Sequence, residues 1–340
     1  MDIQAHRKDE HVIIAEKLYQ ESTSNDLGEV QLLLDSLPEL SLEEIDISTK
    51  LAGRGISAPF FINAMTGGSP ETGKINRRLS KIAQVNNLAL ATGSQSVALH
   101  DKEAVHSFKV VRENDPTGFI IANLGASHGI EDALKAIEMT AAQALEIHLN
   151  PAQELVMPEG DREFYWLEQL TGLIRQSPVP VIIKEVGMGL SPKTLAKLQK
   201  IGVQYIDVAG YGGTNFIEIE NERRHRKEYS FLKNVGLSTA KSLLAAQKFS
   251  NDFSITASGG IRTALDIVKC LALGADNVGI SGFFLHTLIK QGDEGLDRTV
   301  KDLKKQIAKI MLLLGCKNIA ELHEQKVILS AELQAFRNQL

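Results

Sequence analysis

The chain has 340 residues, a formal net charge of −5 and 43% apolar residues. This length allows either two domains or one large core, and single (β/α)8 barrels commonly exceed about 250 residues. The acidic balance excludes a general electrostatic attraction to nucleic acid, so any phosphate must be bound locally. No apolar run reaches the roughly 18 residues of a membrane-spanning helix, and the polar start MDIQAHRKDEH is unlike a secretory signal. We therefore expect a cytoplasmic protein without nucleic-acid or membrane partners.

In chain order, the first 58 residues predict an amphipathic helix near residues 11–20, a turn, and two short strands that end at Ile56. Eight short apolar runs follow, and most of them end in Gly, Asn or a small polar residue. They begin at Pro59, Leu88, Phe119, Ala144, Pro180, Tyr205, Ser254 and Asn277. Each run is typical of a strand buried on both faces, and helical patterns separate the runs.

Eight such units in succession predict an α/β fold, a (β/α)8 barrel over residues 59–293. Residues 1–58 form an N-terminal segment that covers the substrate, and residues 294–340 form C-terminal helices that pack on the barrel. An open doubly wound sheet is the alternative, but it needs a GxGxxG fingerprint where this chain has MTGG. An insertion at residues 215–236 is interpreted as a long loop: a lid, an oligomer contact, or a solvated charged loop. Cys270 and Cys316 lie in apolar helical contexts and are expected to be buried thiols.

The ends of the last two strands carry the strongest chemical signal. SGGIR, residues 258–262, and GISG, residues 279–282, place glycines where backbone N–H groups can approach a phosphate at a helix N-terminus. The pattern predicts a phosphate site without naming the molecule that carries the phosphate. The alternative is a pair of tight glycine turns with no ligand.

Other polar groups stand at the remaining strand ends. Lys184 ends an apolar strand, where it can contact a flavin ring, form a Schiff base, or pair with Glu185 or another carboxylate. Uncharged groups that suit the rim of a flavin end four other strands: Thr66, Ser94, Asn123 and Thr214. Glu154, beside His148 and Gln153, is a candidate Mg²⁺ ligand or a solvated loop carboxylate.

Taken in order, RKDEH, AMTGG, TGSQ, ANLGA, HLNPAQE, KEVG, GYGGT and SGGIR resemble the motifs of the type 2 isopentenyl-diphosphate isomerases, a family of FMN-dependent barrels. The resemblance covers roughly residues 5–285. AMTGG and SGGIR also occur in other flavin barrels, whereas RK near the start together with HLNPxQE is much more specific.

The resemblance implies a redox-neutral isomerase of isoprenoid biosynthesis that uses reduced FMN, Mg²⁺ and NAD(P)H as a priming reductant. It implies a small diphosphate substrate and a homo-oligomer, either a tetramer or an octamer. The implied catalytic groups are Gln153, His148 and Glu154, and Glu154 is the implied metal ligand. The implied substrate contacts are Arg7, Lys8, Ser94, Gln95, Ser96, Asn150 and Gln153. The implied FMN contacts are Met65, Thr66, Gly67, Ser94, Asn123, Lys184, Thr214, Gly259, Gly260, Ile261, Arg262, Ser281 and Gly282.

Two positions depart from the family pattern. Ser96 stands where the family often has an arginine, and Ala209 stands where it often has a serine that contacts FMN. Each change weakens one contact and removes no catalytic group. In the implied reaction, N5 of the reduced flavin carries the proton, and Gln153 positions the substrate or relays a proton with Glu154 and water.

Three other functions compete with this interpretation. A 2-hydroxyacid oxidase needs a histidine base and paired arginines, and this chain has Arg262 but no histidine near the seventh strand. An inosinate-type dehydrogenase needs a cysteine nucleophile in a loop, and both cysteines fall in helical patterns. A non-catalytic phosphate-binding barrel gives no reason to gather Lys184, Gln153 and Glu154 around one opening.

Overall fold

The computed structural model describes residues 3–21 and 25–340. Its N-terminal segment contains helix α1 (Ile3–Lys17), strand β1 (Val30–Leu32), and an antiparallel hairpin of β2 (Thr49–Leu51) and β3 (Arg54–Ile56). The hairpin confirms the two predicted strands. Helix α1 overlaps the predicted helix at residues 11–17, but it begins and ends earlier in the chain. Ile13 on α1 is exposed, and polar and charged contacts hold the helix in place.

Eight parallel strands follow and close into a barrel. They are β4 (Phe60–Ile62), β5 (Leu90–Ala91), β6 (Ile120–Gly125), β7 (Ala144–Leu149), β8 (Val181–Glu185), β9 (Tyr205–Asp207), β10 (Ser254–Ser258) and β11 (Asn277–Ile280). Each strand pairs with the next one in the chain, and β11 pairs with β4. The predicted (β/α)8 barrel is therefore confirmed, and closure excludes the open sheet.

Helices lie between the strands and after them. They are α2 (Pro70–Asn86), α3 (Lys102–Asn114), α4 (Ile130–Thr140), α5 (Pro151–Val156), α6 (Leu167–Gln176), α7 (Pro192–Lys200), α8 (Phe216–Glu222), α9 (Thr239–Gln247), α10 (Ala264–Ala272), α11 (Gly282–Leu313), α12 (Ile319–His323) and α13 (Ala331–Gln339), with β12 (Val327–Leu329) before α13. Short 3-10 turns occur at Leu27–Glu29, Leu42–Glu44, Ser96–Leu99 and Ser230–Leu232. Among residues 3–21 and 25–340, no helix is both long and apolar enough to cross a membrane.

Two segments differ from the sequence-based expectation. The insertion at 215–236 contains α8, a helix capped by the Asn215 side chain, which accepts a hydrogen bond from the Glu218 N–H group. The C-terminal tail contains β12, which pairs antiparallel with β1 and so joins the two ends of the described chain. Three-residue strands carry too little periodicity to be predicted.

The inside of the barrel is layered. At the N-terminal ends of the strands, the β2–β3 hairpin closes the barrel with an apolar cluster. That cluster contains Leu51, Ala52, Ile56, Phe61, Ala89, Ala91, Ile121, Ala144 and Ile182. Above it lie buried polar side chains: Asn63, Asn123, Glu146, Lys184, Asp207 and Ser258. Cys270 and Cys316 are free and buried, as predicted.

Candidate active site

A cavity of about 600 Å³ lies at the C-terminal ends of the barrel strands, under α1. This is the end at which (β/α)8 barrels carry their active sites, and the volume is typical of a ligand or cofactor site. Three buried side-chain polar atoms of cavity-lining residues lack a hydrogen-bond partner among the described residues: Arg7 Nε, Thr66 Oγ1 and Arg262 Nη1. Because buried polar groups are normally paired, these atoms indicate that a polar ligand completes the site.

Glycine backbone forms one end of the cavity. Gly259 and Gly260 have φ angles of +111° and +70°, which a residue with a side chain rarely adopts. A Cβ atom at Gly260 would lie 2.3 Å from the carbonyl oxygen of Gly212, so the two loops approach as backbone on backbone. Helix α10 begins shortly after the Gly259–Gly260 loop, and α11 begins at Gly282 after β11. The N-terminal ends of these helices, with Arg262 beside them, fit a phosphate.

Uncharged side chains line the middle of the cavity. Thr66, Ser94, Asn123 and Thr214 come from four different strand ends and all reach the cavity wall, together with Met65. Thr66 Oγ1 is buried without a hydrogen-bond partner. Such groups suit the edge of a flavin ring, which offers donors and acceptors but little charge. The residues present therefore fit FMN, with its phosphate at the glycine end.

Lys184 stands on the floor of this middle region. Its Nζ donates to the backbone oxygen of Glu185 at 3.0 Å and lies 3.7 Å from Asp207 Oδ2. Of the three predicted alternatives, the geometry favours an ion pair with a carboxylate, although the partner is Asp207. A paired ammonium suits electrostatic contact with a bound ring and poorly suits Schiff-base formation, which needs the free amine.

His148 is an uncharged group of the site. Its Nδ1 lies 3.0 Å from Asn123 Oδ1, and the ring faces the cavity. Burial and the nearby cations Lys184 and Lys8 lower its pKa to about 3. His148 therefore presents a neutral imidazole at physiological pH and cannot serve as a cationic proton donor.

Arg7 and Lys8 of α1 bring positive charge to the other end of the cavity. Both line it, so they are more than an ordinary charged helix start. Lys8 is half-buried, and its stem lies 3.4 Å from where a Cβ atom of Gly68 would stand. Burial of the ammonium and the charge of Arg7 lower the pKa of Lys8 to about 8. Arg7 is also half-buried and lies 3.6 Å from Glu159. The two cations suit an anion and define a candidate second anion site, separate from the glycine end.

Gln153 faces this second anion site and is held by a carboxylate behind it. Its Nε2 donates to Glu220 Oε1 at 2.9 Å, and its Oε1 accepts from Asn150 Nδ2 at 3.2 Å. Glu220 is fully buried on α8 and also contacts His11 at 3.0 Å and Arg223 at 2.6 Å. Burial alone would raise the pKa of Glu220, but these partners hold it at about 2. Glu220 is therefore a buried carboxylate anion that orients the Gln153 amide.

Glu154 lines the same end as a single carboxylate. Its oxygens accept from Asn150 Nδ2 and from the Asp161 N–H group, each at 2.9 Å. In the part of the chain that the structure describes, no group of three His, Cys, Asp or Glu side chains could hold a metal ion. Mg²⁺ commonly binds through one carboxylate together with substrate phosphate oxygens, and Glu154 fits that arrangement.

Nearly all the predicted site residues meet in this cavity, and two do not. Gln95 is fully buried, accepts a hydrogen bond from Asn123 N and donates one to Ala136 O, so its side chain does not line the cavity. Gly67 lies against Phe108 and is not among the residues that line the cavity.

The sequence-based analysis missed Glu220, Arg223 and the role of His11. Glu220 and Arg223 lie one helical turn apart on α8, a spacing that signals an ion pair once the insertion is recognised as a helix.

Comparison with known proteins defines the class first. The family model for FMN-dependent dehydrogenases matches residues 133–329, more than half of the chain. Among solved structures, a flavocytochrome b2 variant with bound sulfite superposes with a TM-score of 0.70 at 19% identity, covering 92% of this chain and 78% of that one. A mandelate oxidase variant gives a TM-score of 0.61 at 14% identity, covering 94% and 92%. These similarities show the fold, and the family match identifies a flavin-dependent barrel enzyme.

Sequence relatives then narrow the class. A protein of Latilactobacillus sakei named isopentenyl-diphosphate delta-isomerase is 52% identical over 99% of this chain and 97% of its own length. Proteins of the same name from Lacticaseibacillus paracasei and Listeria monocytogenes are 46% and 45% identical over 98% and 97% of this chain, and 96% and 93% of their own lengths. The chain belongs to the isopentenyl-diphosphate delta-isomerase family, and it is an isomerase.

Proposed function

We propose that the protein converts isopentenyl diphosphate into dimethylallyl diphosphate, with reduced FMN and Mg²⁺, as a step of isoprenoid biosynthesis. One observation supports the proposal: groups that suit an anion line the cavity at two separate ends. The glycine end suits the phosphate of the cofactor, and Arg7 with Lys8 suits the diphosphate of a second molecule. The names of the relatives agree with a diphosphate substrate.

The reaction moves one double bond. One proton is added at the terminal CH₂ carbon, another is removed from the carbon on the far side of the double bond, and no electrons are gained or lost overall. The reduced flavin, when bound, would supply a negatively charged ring and a nitrogen that can carry a proton. The protein must hold the substrate and move protons without consuming a reductant.

Gln153 is the polar group of this chain that is best placed to touch the reacting part of the substrate. An amide barely titrates by itself, but the anionic Glu220 accepts a hydrogen bond from its Nε2. This contact polarises the amide and fixes its orientation, so that Gln153 can hold the reacting part of the substrate in place. His148 would accept a hydrogen bond through Nε2, because its Nδ1 is committed to Asn123.

Charge at the substrate end orients the diphosphate. Lys8 and Arg7 would donate charge-assisted hydrogen bonds to phosphate oxygens, and Glu154 would hold Mg²⁺ against them. The helix that carries Arg7 and Lys8 also covers the cavity, which limits the access of water to a cationic intermediate. Loss of the Glu154 carboxylate in Glu154→Gln should raise the Mg²⁺ concentration needed for half-maximal rate, and wild-type metal dependence would remove that role.

Three further expectations belong to the proposal. NAD(P)H would prime the flavin without being consumed in turnover, the protein would act in the cytoplasm, and it would assemble as a tetramer or an octamer. Light scattering of the purified protein tests the assembly directly.

The decisive experiment is an anaerobic assay with isopentenyl diphosphate, Mg²⁺, FMN and catalytic NADPH, in which dimethylallyl diphosphate and NADPH are followed together. We expect many product molecules per NADPH oxidised. Flavin-loaded protein that forms no product would overturn the isomerase proposal and favour an oxidoreductase of the 2-hydroxyacid oxidase type. Stoichiometric NADPH consumption would overturn the redox-neutral reaction.

A further inference from the structure

A buried carboxylate lies beneath the floor of the cavity, and the mechanism above does not use it. Glu146 points into the barrel from β7 and is fully buried. Its Oε2 accepts a hydrogen bond from Asn123 Nδ2 at 2.9 Å, while Oε1 has no hydrogen-bond partner among the described residues. An ionised carboxylate with one bare oxygen is costly in such a place, and a proton on that oxygen removes the cost.

The neighbouring carboxylate of Asp207 has a different environment. Asp207 accepts from Asn63 Nδ2, from Ser258 Oγ and from its own loop at Ala209 N, and it pairs with Lys184. Glu146 has a single hydrogen bond, and the Lys184 ammonium acts on it only through its charge. Two neighbouring carboxylates, of which one is paired with a cation and well hydrogen-bonded and the other is not, are arranged to hold different numbers of protons.

The charges around Glu146 leave it poised between its two protonation states. Burial and the charge of Asp207 raise its pKa to about 7, against the opposing effects of Lys184 and the Asn123 amide. The remaining titratable group nearby is His148, which is neutral and bonded to the other end of the Asn123 amide. With Glu146 protonated the cluster of Glu146, Lys184 and Asp207 is neutral, and with Glu146 ionised it carries one negative charge.

We propose that Glu146 is a positioning residue that takes up a proton when the flavin ring above Lys184 becomes an anion, and releases it when the ring is oxidised. The inference rests on the flavin of the proposed function. The physical reason is charge balance, since a second negative charge on the ring disfavours an ionised carboxylate a few side chains below it. Asn123 connects the two levels, because its amide touches Glu146 below and lines the cavity above.

The step balances in protons and electrons. Two electrons from an added reductant such as dithionite, and one proton, convert the oxidised ring into the anionic reduced ring. One further proton from solvent converts the Glu146 carboxylate into the carboxylic acid. The protein thus takes up two protons per electron pair in the pH range where Glu146 changes state, and one proton outside that range.

The test is the pH dependence of the midpoint potential of the bound flavin, measured between pH 6 and 9 by reductive titration against a reference dye. Each proton taken up with two electrons contributes about 30 mV per pH unit. We expect the flavin-loaded wild type to show a segment that approaches twice that slope. We expect Glu146→Gln, which cannot take up the proton, to keep the single slope throughout. Glu113→Gln, which removes an exposed carboxylate and the same formal charge, should behave as the wild type.

A second measurement can be made on the wild type alone. Its reduced-minus-oxidised infrared difference spectrum at pH 8 should gain the carbonyl band of a protonated carboxylic acid. Where Glu146→Gln folds, its spectrum should lack this band. Equal slopes in the wild type and Glu146→Gln, or a wild-type spectrum without that band, would overturn the role of Glu146. Neither result would affect the proposed function. Protein that binds no FMN would overturn both this inference and the proposed function.

Discussion

The two ends of the cavity differ in the groups that form them: backbone at one end and charged side chains at the other. The glycine end is formed by backbone of the loops after β9, β10 and β11, including Gly259 and Gly260 with their positive φ angles. At the substrate end, side chains from α1, α5, α8 and the loop after α5 form a charged network around Arg7, Lys8 and Glu220. The first end is fixed by the barrel itself, whereas the second exists only while α1 lies over the opening.

Because of this difference, the two ends should respond to different kinds of substitution. A backbone site tolerates no added atom but depends weakly on pH and salt, because its donors do not titrate. A side-chain network tolerates changes in shape but responds to every change in charge. Cofactor binding should therefore respond to steric substitutions, and substrate binding to charge substitutions.

The largest effect is expected at Gly260. In Gly260→Ala, a Cβ atom would lie 2.3 Å from Gly212 O at a φ of +70°, so backbone must move at the phosphate site. Strain of this kind costs about 1–3 kcal/mol and the displaced contact adds to it. We expect the FMN affinity to fall by at least about 100-fold, or roughly 3 kcal/mol, as measured by quenching of flavin fluorescence.

Gly202→Ala is the matched control for this substitution. Gly202 has a φ of +83°, and no atom lies within 4 Å of its would-be Cβ. It bears similar backbone strain without the close approach, so it should lower stability slightly and leave FMN affinity unchanged. An unchanged FMN affinity in Gly260→Ala would show that the glycine end does not bind the phosphate.

The second-largest effect is expected at Lys8, which lies at the substrate end of the cavity. Lys8→Met keeps most of the buried stem and removes the ammonium, which should raise the KM for the diphosphate substrate about 10- to 100-fold, because charge-assisted hydrogen bonds contribute about 1.5–3 kcal/mol. The pKa of Lys8 is about 8, so the wild-type KM should rise as the pH passes through 8 and the cation is lost. The Lys8→Met enzyme should not show this rise.

Lys17→Met, on the exposed part of the same helix, controls for the loss of a charge from α1. It should leave the KM and its pH profile within about twofold of the wild type, since exposed ion pairs contribute little. Equal pH profiles for the wild type and Lys8→Met would exclude Lys8 from the diphosphate site.

The two ends of the cavity also differ in how well the sequence predicts them. The barrel and the glycine end could be predicted, because buried parallel strands and SGGIR are local patterns whose positions the barrel dictates. The Lys184 partner and the Gln153–Glu220 pair could not. They join residues that are 23 and 67 positions apart in the chain. The local sequence of an apolar strand or a charged insertion does not indicate which distant side chain each residue will contact. Gln95 shows the reverse error: a residue within a site motif whose side chain turns into the core.

Arg223 should have a smaller effect than Lys8, because it acts through the closure of α1. Its guanidinium bonds Glu10 of α1 at 3.3 Å, Glu159 at 2.7 Å and Glu220 at 2.6 Å. In Arg223→Met, α1 loses one of its attachments and Glu220 loses one of its partners. We expect the KM for the diphosphate to rise about tenfold, or about 1.4 kcal/mol, while FMN affinity changes little.

Arg226→Met is the comparison for Arg223→Met, because Arg226 lies three residues further along the same segment and is exposed. It should leave the KM near the wild-type value. A large loss of FMN affinity in Arg223→Met would contradict the independence of the two ends, since Arg223 belongs to the substrate end.

The smallest effect is expected where the two ends meet. The ring of Tyr19, just beyond α1, stacks on His286 at 3.8 Å and lies 4.5 Å from the guanidinium of Arg262. Tyr19→Leu removes a cation–π contact of about 1 kcal/mol and leaves Arg262 free to move from the phosphate site, so FMN affinity should fall about fivefold. Tyr165→Leu, at a ring that is 88% exposed, should change nothing. If Tyr19→Leu also leaves FMN affinity unchanged, the N-terminal segment serves the substrate alone. If FMN affinity falls while the KM for the diphosphate is unchanged, the N-terminal segment also helps to retain the cofactor. Opening this segment to release the product would then weaken the binding of both the product and FMN.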